Sequence, residues 1–396
     1  MRDASPLGIA VLGSGIIAVT YGLARFAFGL FLPSIRADMG LSPTAAGIIG
    51  ALPFVSFVVA ILVAPRVAGA LGVRRAAIGA TAFAVAGLLA IAQAPGPAVL
   101  ALGVVTCGIS TGLSTPVLAD CVHAAVRAEL RGRVNATINA GTSLGIAAAM
   151  PAAIWWGESW RSAYAGFAVL AALGVAAAVI RLPGRRTGRT EAPDRPPSPP
   201  VSRRQWLDIA RLSALAGAMG FVSALYWVFA PDFAVHGGGL SAGQSAWMWL
   251  AVAAGGLAGV GAGDLLDRYG AAMSHALALT VLSASLALLA ADPGAFALAL
   301  VSAAAFGAAY MTLTGLCLVD SVRIMTDRPA LGPVIPFLAI ACGQIAGSPV
   351  GGWAIAAHGH AAAFGAFAAF GLGIAVLSPR LLAPAAAGTG PAGREG

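Results

Sequence analysis

Lysine is missing from this sequence: all 23 basic residues among the 396 are arginine. Charged residues of both signs make up only 10%, against roughly a quarter in ordinary soluble domains. With 59% hydrophobic residues and a mean hydropathy of +0.87, the chain has too little polar surface for a water-soluble enzyme. The net charge of +8 is no nucleic-acid footprint, because most arginines sit in short gaps between apolar stretches, which is a topology pattern. The four cysteines, Cys107, Cys121, Cys317 and Cys342, have no C-x-x-C spacing and no histidine at ligand distance. That excludes a disulfide scaffold and leaves small apolar side chains in helix contacts. His358 and His360 share a loop, but two ligands do not make a metal site. A G-x-x-x-x-G-K-[ST] phosphate loop is also missing, which argues against an ATP-driven pump. The expectation is no cofactor, no metal and no catalytic cluster.

What is present is long apolar runs. A bilayer core about 30 Å thick takes roughly 20 residues of helix. Runs of that kind fall near 8–34, 44–64, 76–94, 98–122, 134–156, 162–180, 207–231, 244–263, 271–291, 294–319, 333–356 and 361–379. The predicted fold is therefore an all-α polytopic membrane protein with twelve transmembrane helices. No A-x-A cleavage site follows the first run, so it reads as a membrane span and not a secretory leader.

If both termini are cytoplasmic, 20 arginines lie inside, Arg36 and Arg161 lie outside, and Arg25 is left within the first span. This bias predicts a multi-pass protein of the bacterial cytoplasmic (inner) membrane with both termini cytoplasmic. Residues 181–206 hold six prolines and seven arginines with two acids, and read as a solvated cytoplasmic tether. The predicted organisation is a six-helix bundle over 1–180, a Pro/Arg-rich linker over 181–206, a second six-helix bundle over 207–380, and a disordered cytoplasmic tail over 381–396. The expected surroundings are a lipid bilayer and a small-molecule substrate, with no nucleic acid, around a monomer.

The two halves repeat each other. FLPSI around Pro33 answers FAPDF around Pro231, and Leu41-Ser42 answers Leu240-Ser241. Asp120 ends span 4 as Asp320 ends span 10, and Gly141 and Gly145 correspond to Gly343 and Gly347. The offsets run from 198 to 202 residues. Such a repeat predicts two pseudo-symmetric bundles related by an axis along the membrane normal. The loop after span 8, G-D-L-L-D-R-Y-G (Gly263–Gly270), matches the G-x-L-x-D-R-x-G signature of the major facilitator superfamily. The loop after span 2 (Pro65–Arg75) is a degenerate copy, and R-G-R-V-N-A-T-I-N-A-G-T-S-L-G (Arg131–Gly145) resembles that family's run into its fifth helix. The resemblance covers the chain outside linker and tail and implies a secondary transporter working by alternating access. The family's arginine in the middle of span 4 is missing here, where the helix reads VTCGISTGLST.

Arg25 is the focal residue. A guanidinium in hydrocarbon costs about 2.5–3.5 kcal/mol on insertion scales, so it must face protein or a watery cavity. No acid lies at its depth; Asp232, at the outer end of span 7, is the best rival partner. A deep unpaired guanidinium suits a carboxylate or phosphate of a substrate; the alternative is bonding to polar groups of spans 5 or 11. In the resembling family spans 1, 4, 7 and 10 line the cavity, which implies substrate contacts for Tyr21, Tyr226, Trp227 and Tyr310. Asn139, Ser143, Trp247 and Gln344 are further candidates, the amides because they avoid lipid. The resemblance also implies an inner latch in which Arg74 or Arg75 meets Asp120, and Arg268 joins Asp267 and Asp320. With those acids in a latch, no carboxylate is left at the midplane to carry a proton. The run G-Q-I-A-G-S-P-V-G-G (Gly343–Gly352) resembles a glycine-proline motif of exporters and tilts the expectation toward export. A polytopic enzyme acting on lipids would need clustered His, Asp, Glu or Ser at one membrane face, and a non-transporting substrate sensor would bind its ligand without moving it.

Overall fold

The computed structural model describes residues 6–156, 159–181, 200–326, 328 and 331–382. The first half comprises α1 (Pro6–Met39), α2 (Pro43–Leu71), α3 (Val73–Ala92), α4 (Pro97–Ala125), α5 (Ala128–Trp156) and α6 (Trp160–Arg181). The second comprises α7 (Arg203–Asp232), α8 (242–269), α9 (271–291), α10 (Phe296–Ile324), α11 (Val334–His358) and α12 (His360–Leu381). Helices α8 and α9 belong to one 50-residue run, Ala242–Ala291, divided at Gly270, whose φ of 74° and ψ of 168° are not helical. Gly72 (φ 81°, ψ 151°) divides α2 from α3 in the same way. Both bends need a positive φ that glycine adopts freely, and both lie at the signature loop and its degenerate copy. With that run divided at Gly270, the described residues form twelve long helices in two groups of six, as the hydropathy pattern predicted. The middle of the predicted linker (182–199) and nearly all of the predicted tail (383–396) lie outside the described residues.

The repeated residues have repeated jobs. Ser42 caps α2 by accepting the Ala45 N–H, and Ser241 caps α8 by accepting the Gln244 N–H, both at 3.2 Å. Pro33 and Pro231 both fall inside the last turns of their helices. Gly141 and Gly145 of α5 press on the α1 backbone at Ser14 and Ala18, while Gly343 and Gly347 of α11 press on α7 at Gly217 and Phe221. A Cβ at any of the four would overlap backbone atoms, so small residues four apart allow these helices to touch.

Helices α1 and α7 both end at one face, here called the far face; the linker face is the one where α6 ends and α7 begins. The halves meet through α2 on α11, α1 on α7, and α5 on α8. The close approaches, Gly29 to Trp227 and Gly47 to Ser348 and Gly352, lie in the far half of the molecule. Residues Pro6–Ile17 of α1 pack on α4, α5 and α6 of their own half. One apolar core joins the second bundle to the far half of the first, whereas the linker end of the first bundle keeps its own core around Ile9, Ile16, Val122 and Ile138.

Candidate functional site

Arg25 sits where α1 is not an α-helix. Residues Ala18–Phe26 form a π-helical stretch, a wider winding that often marks functional positions. Its polar groups are taken up by α4: Thr111 donates to the Thr20 carbonyl at 2.8 Å, Thr20 and Ser114 hydroxyls lie 3.1 Å apart, and Tyr21 and Thr115 hydroxyls 2.7 Å apart. At 1.5 Å per residue Arg25 is about 21 Å from the far end of α1. The side chain is only 8% exposed.

Aromatic rings surround this guanidinium. Its Cζ lies 4.5 Å from the Phe54 ring, 4.7 Å from Phe57, 5.3 Å from Phe26 and 5.6 Å from Tyr21. Phe54 and Phe57 are three apart on α2, so helical geometry turns both rings to one face. Each such contact contributes about 0.5–2 kcal/mol, more when desolvated. Among the described residues its one hydrogen-bond partner is an amide: Nη2 donates to Gln344 Oε1 at 3.2 Å, across the two halves. Gln344 Nε2 in turn donates to the Tyr310 hydroxyl at 3.3 Å. No carboxylate pairs with Arg25 among the described residues, and its Nε is buried without an acceptor. Trp227 adds a buried indole N–H beside this cluster, its ring 4.3 Å from Phe26 and 5.2 Å from Tyr310. Arg25, Gln344, Tyr310 and Trp227 thus make one cluster rich in donors and positive charge, with no acid to balance it.

Other predicted residues go elsewhere. Tyr226 is buried within the second half, its hydroxyl 2.9 Å from Ser302 and its ring stacked on Phe306 at 4.0 Å, so it joins the bundle core and not the cluster. Trp247 is exposed on the outer surface, while Trp249, two residues on, is the buried indole. Ser143 is half-buried facing Gly256 of α8, and Asn139 is exposed on α5. Cys342 is exposed; the other three cysteines are buried as expected. The sequence reading missed Phe26, Phe54 and Phe57, and the hydroxyl run Thr111, Ser114 and Thr115 in the segment noted for its missing arginine.

The expected partners of the charged latch are replaced by others. Arg74, which begins α3 beside the end of α6, donates to the Val179 carbonyl instead of meeting Asp120. Arg75 and Asp120 are exposed and unpaired with each other. Asp267 pairs with Arg323 of α10 at 2.7 Å, and Arg268 lies over the Tyr269 ring at 5.3 Å. Asp320 is buried 3.6 Å from His275 of α9. Asp232 is no rival for Arg25, because it lies level with Arg36, eleven residues or about 16 Å farther along α1. It pairs with Arg36 across the far face and also meets His360 at 2.9 Å and His236 at 3.0 Å. Neither that cluster nor any other group among the described residues has three ligands disposed for a metal.

The fold has close parallels. The structure of the nucleoside transporter NupG superposes with a TM-score of 0.74 at 14% identity, covering 96% of this chain and 99% of that one. A bacterial homologue of the human lysosomal transporter Spinster, in an inward-facing and occupied conformation, gives 0.71 at 15% identity over 94% and 96%. A POT family transporter in complex with 5-aminolevulinic acid gives 0.76 at 11% identity over 95% and 96%. At these identities the likeness concerns the fold alone. No curated protein sequence matches the chain. The model of the Major Facilitator Superfamily matches residues 15–328, which is most of its length. The chain belongs to the major facilitator superfamily, and it is a membrane transporter and not an enzyme.

Proposed function

We propose that this chain is a secondary transporter of small organic anions, and that Arg25 binds the anionic group of the solute between the two halves. The observation that carries this reading is the buried guanidinium that, among the described residues, has no carboxylate partner, no acceptor on Nε and a single hydrogen-bond partner, Gln344 of the other half. A carboxylate or phosphate there would match the planar fork and neutralise the charge. It would also engage groups of both halves, which is how a solute comes to influence their rocking. The linker end of α1 packs on helices of its own half, which supports an approach to the cluster from that side. With the arginine bias taken as positive-inside, the linker face and both termini are cytoplasmic, in a bacterial inner membrane. The glycine-proline run of α11 is accounted for by its packing on α7 and on α2 and gives no direction of net flux.

Counterflow in proteoliposomes over a panel of organic anions, wild type beside Arg25→Ala, tests the proposal. Exchange of at least one anion by the wild type and a loss of about tenfold or more in the variant are expected. Equal exchange by both proteins removes the assignment of Arg25. A wild type that binds an anion without exchanging it is a sensor on a transporter scaffold.

A further inference from the structure

The far-face cluster is built with more than one ion pair requires. Asp232 is fully buried, and three basic side chains converge on it from three helical segments. Arg36 comes from the first half and is itself steadied by Nε donating to the Leu41 carbonyl at 3.1 Å. His360, at the start of α12, places Nε2 2.9 Å from Oδ2, with its ring stacked on Phe233 at 5.2 Å. His236, four residues beyond Asp232, places Nδ1 3.0 Å from Oδ1 and is 45% exposed. Among the described residues, the other charged or titratable groups near the far face are engaged elsewhere. Asp38 pairs with Arg161, Asp292 accepts the N–H groups of Gly294 and Ala295, and His358 lies edge-on to Trp353.

Only one of the three basic groups crosses between the halves. With both imidazoles neutral, Arg36 and Asp232 cancel, and their pairing ties the halves together. A proton on either histidine gives Asp232 a counter-charge from its own half and adds a positive charge that repels Arg36. When the far face opens, Arg36 leaves with α1 and that repulsion disappears. The open arrangement therefore holds the proton more tightly than the closed one, and by linkage a bound proton favours opening. Imidazole is the side chain whose ordinary titration falls in the physiological range, and the exposure of His236 gives solution at the far face access to the cluster.

We propose that His236, Asp232 and His360 form a proton-binding site served from the far compartment, and that a bound proton loosens the Arg36–Asp232 latch and opens the far face. The site needs no particular solute, so its test is a conformational readout independent of transport. Spin labels are placed on Gln93→Cys and Ala291→Cys, exposed positions near the far ends of α3 and α9, in a full-length chain carrying Cys342→Ala. Distances between them are measured in lipid nanodiscs by electron–electron double resonance at pH 8 and pH 5.5. Acid is expected to raise the longer-distance population by about fivefold or more. His236→Gln with His360→Gln should flatten that response. If the double variant does not fold, each single variant is expected to reduce the response while keeping its sign. A distribution unchanged by pH, a shift toward shorter distance in acid, or a full response surviving loss of both histidines overturns the proposal.

Discussion

Arg25 illustrates how one residue can be both structurally satisfied and chemically unfinished. The rings of Phe54 and Phe57 lie over the guanidinium and offset part of its desolvation, yet a ring accepts no proton and carries no net charge. Gln344 supplies one acceptor and no neutralisation. The unbalanced positive charge is what an anionic solute would meet. Gln344→Glu therefore makes a sharper test than removal of the arginine, because it places a carboxylate on Nη2 from within the chain. We expect the variant to fold, since Glu has nearly the shape of Gln and forms a buried pair. Its affinity for the anion should fall by about tenfold or more, as internal pairing competes with the solute. Titration of anion binding to the purified protein checks this, and undiminished affinity would mean that the solute does not use the charge.

At the scale of the element, α1 is a helix with two windings and a tightly held middle. Its π-helical stretch lies against Gly145 of α5, where the two backbones touch at Ala18 and Gly22. Nothing can be added at Gly145 without pushing α1 away, and displacement of α1 would move Arg25. Gly145→Val should lower stability by about 1–3 kcal/mol through overpacking, seen as a drop of several degrees in the melting temperature of the purified protein. The matching Gly347→Val, which presses on α7 at Phe221, should behave alike if the repeat is structural. A silent pair of variants would show that the helices accommodate the bulk. The bend at Gly270 is a separate demand: it requires a positive φ in open surroundings, so Gly270→Ala should destabilise through backbone strain alone, by roughly 1–2 kcal/mol.

For the molecule as a whole, the distribution of contacts defines the state. The far half is closed by packed helices and by Arg36 on Asp232, while at the linker end Pro6–Ile17 of α1 packs on helices of its own half. Replacing Arg36 with Gln leaves a buried carboxylate without its cross-half partner, a change of about 3–5 kcal/mol against the closed arrangement. Hydrogen exchange should then rise at the far ends of α1 and α7, with the linker ends of α3 and α6 unchanged. Uniform acceleration would point to general unfolding. The sidedness assigned under the arginine bias has its own check. A fluorescent reporter that matures only in cytoplasm, fused after Gly396, should glow, and darkness of that fusion would reverse both faces.

The primary structure by itself determined the number of spans, the duplication and the presence of a deep cation, because hydropathy, period and charge are properties of residues taken in order. Part of the site was also visible in principle. Phe57 lies fourteen residues inside the far end of α2, and Arg25 fourteen inside the far end of α1, so the two share a depth. Depth says nothing of which helix faces which, and that is why Gln344 stands in sequence beside Tyr226, which packs within the second half, and Trp247, which is exposed. The pairings of Arg36 with Asp232, Asp267 with Arg323, and Arg74 with the Val179 carbonyl join residues 56 to 196 positions apart. Only the packing of helices fixes such partners, since the energy of a charge depends on what lies within a few ångströms in space.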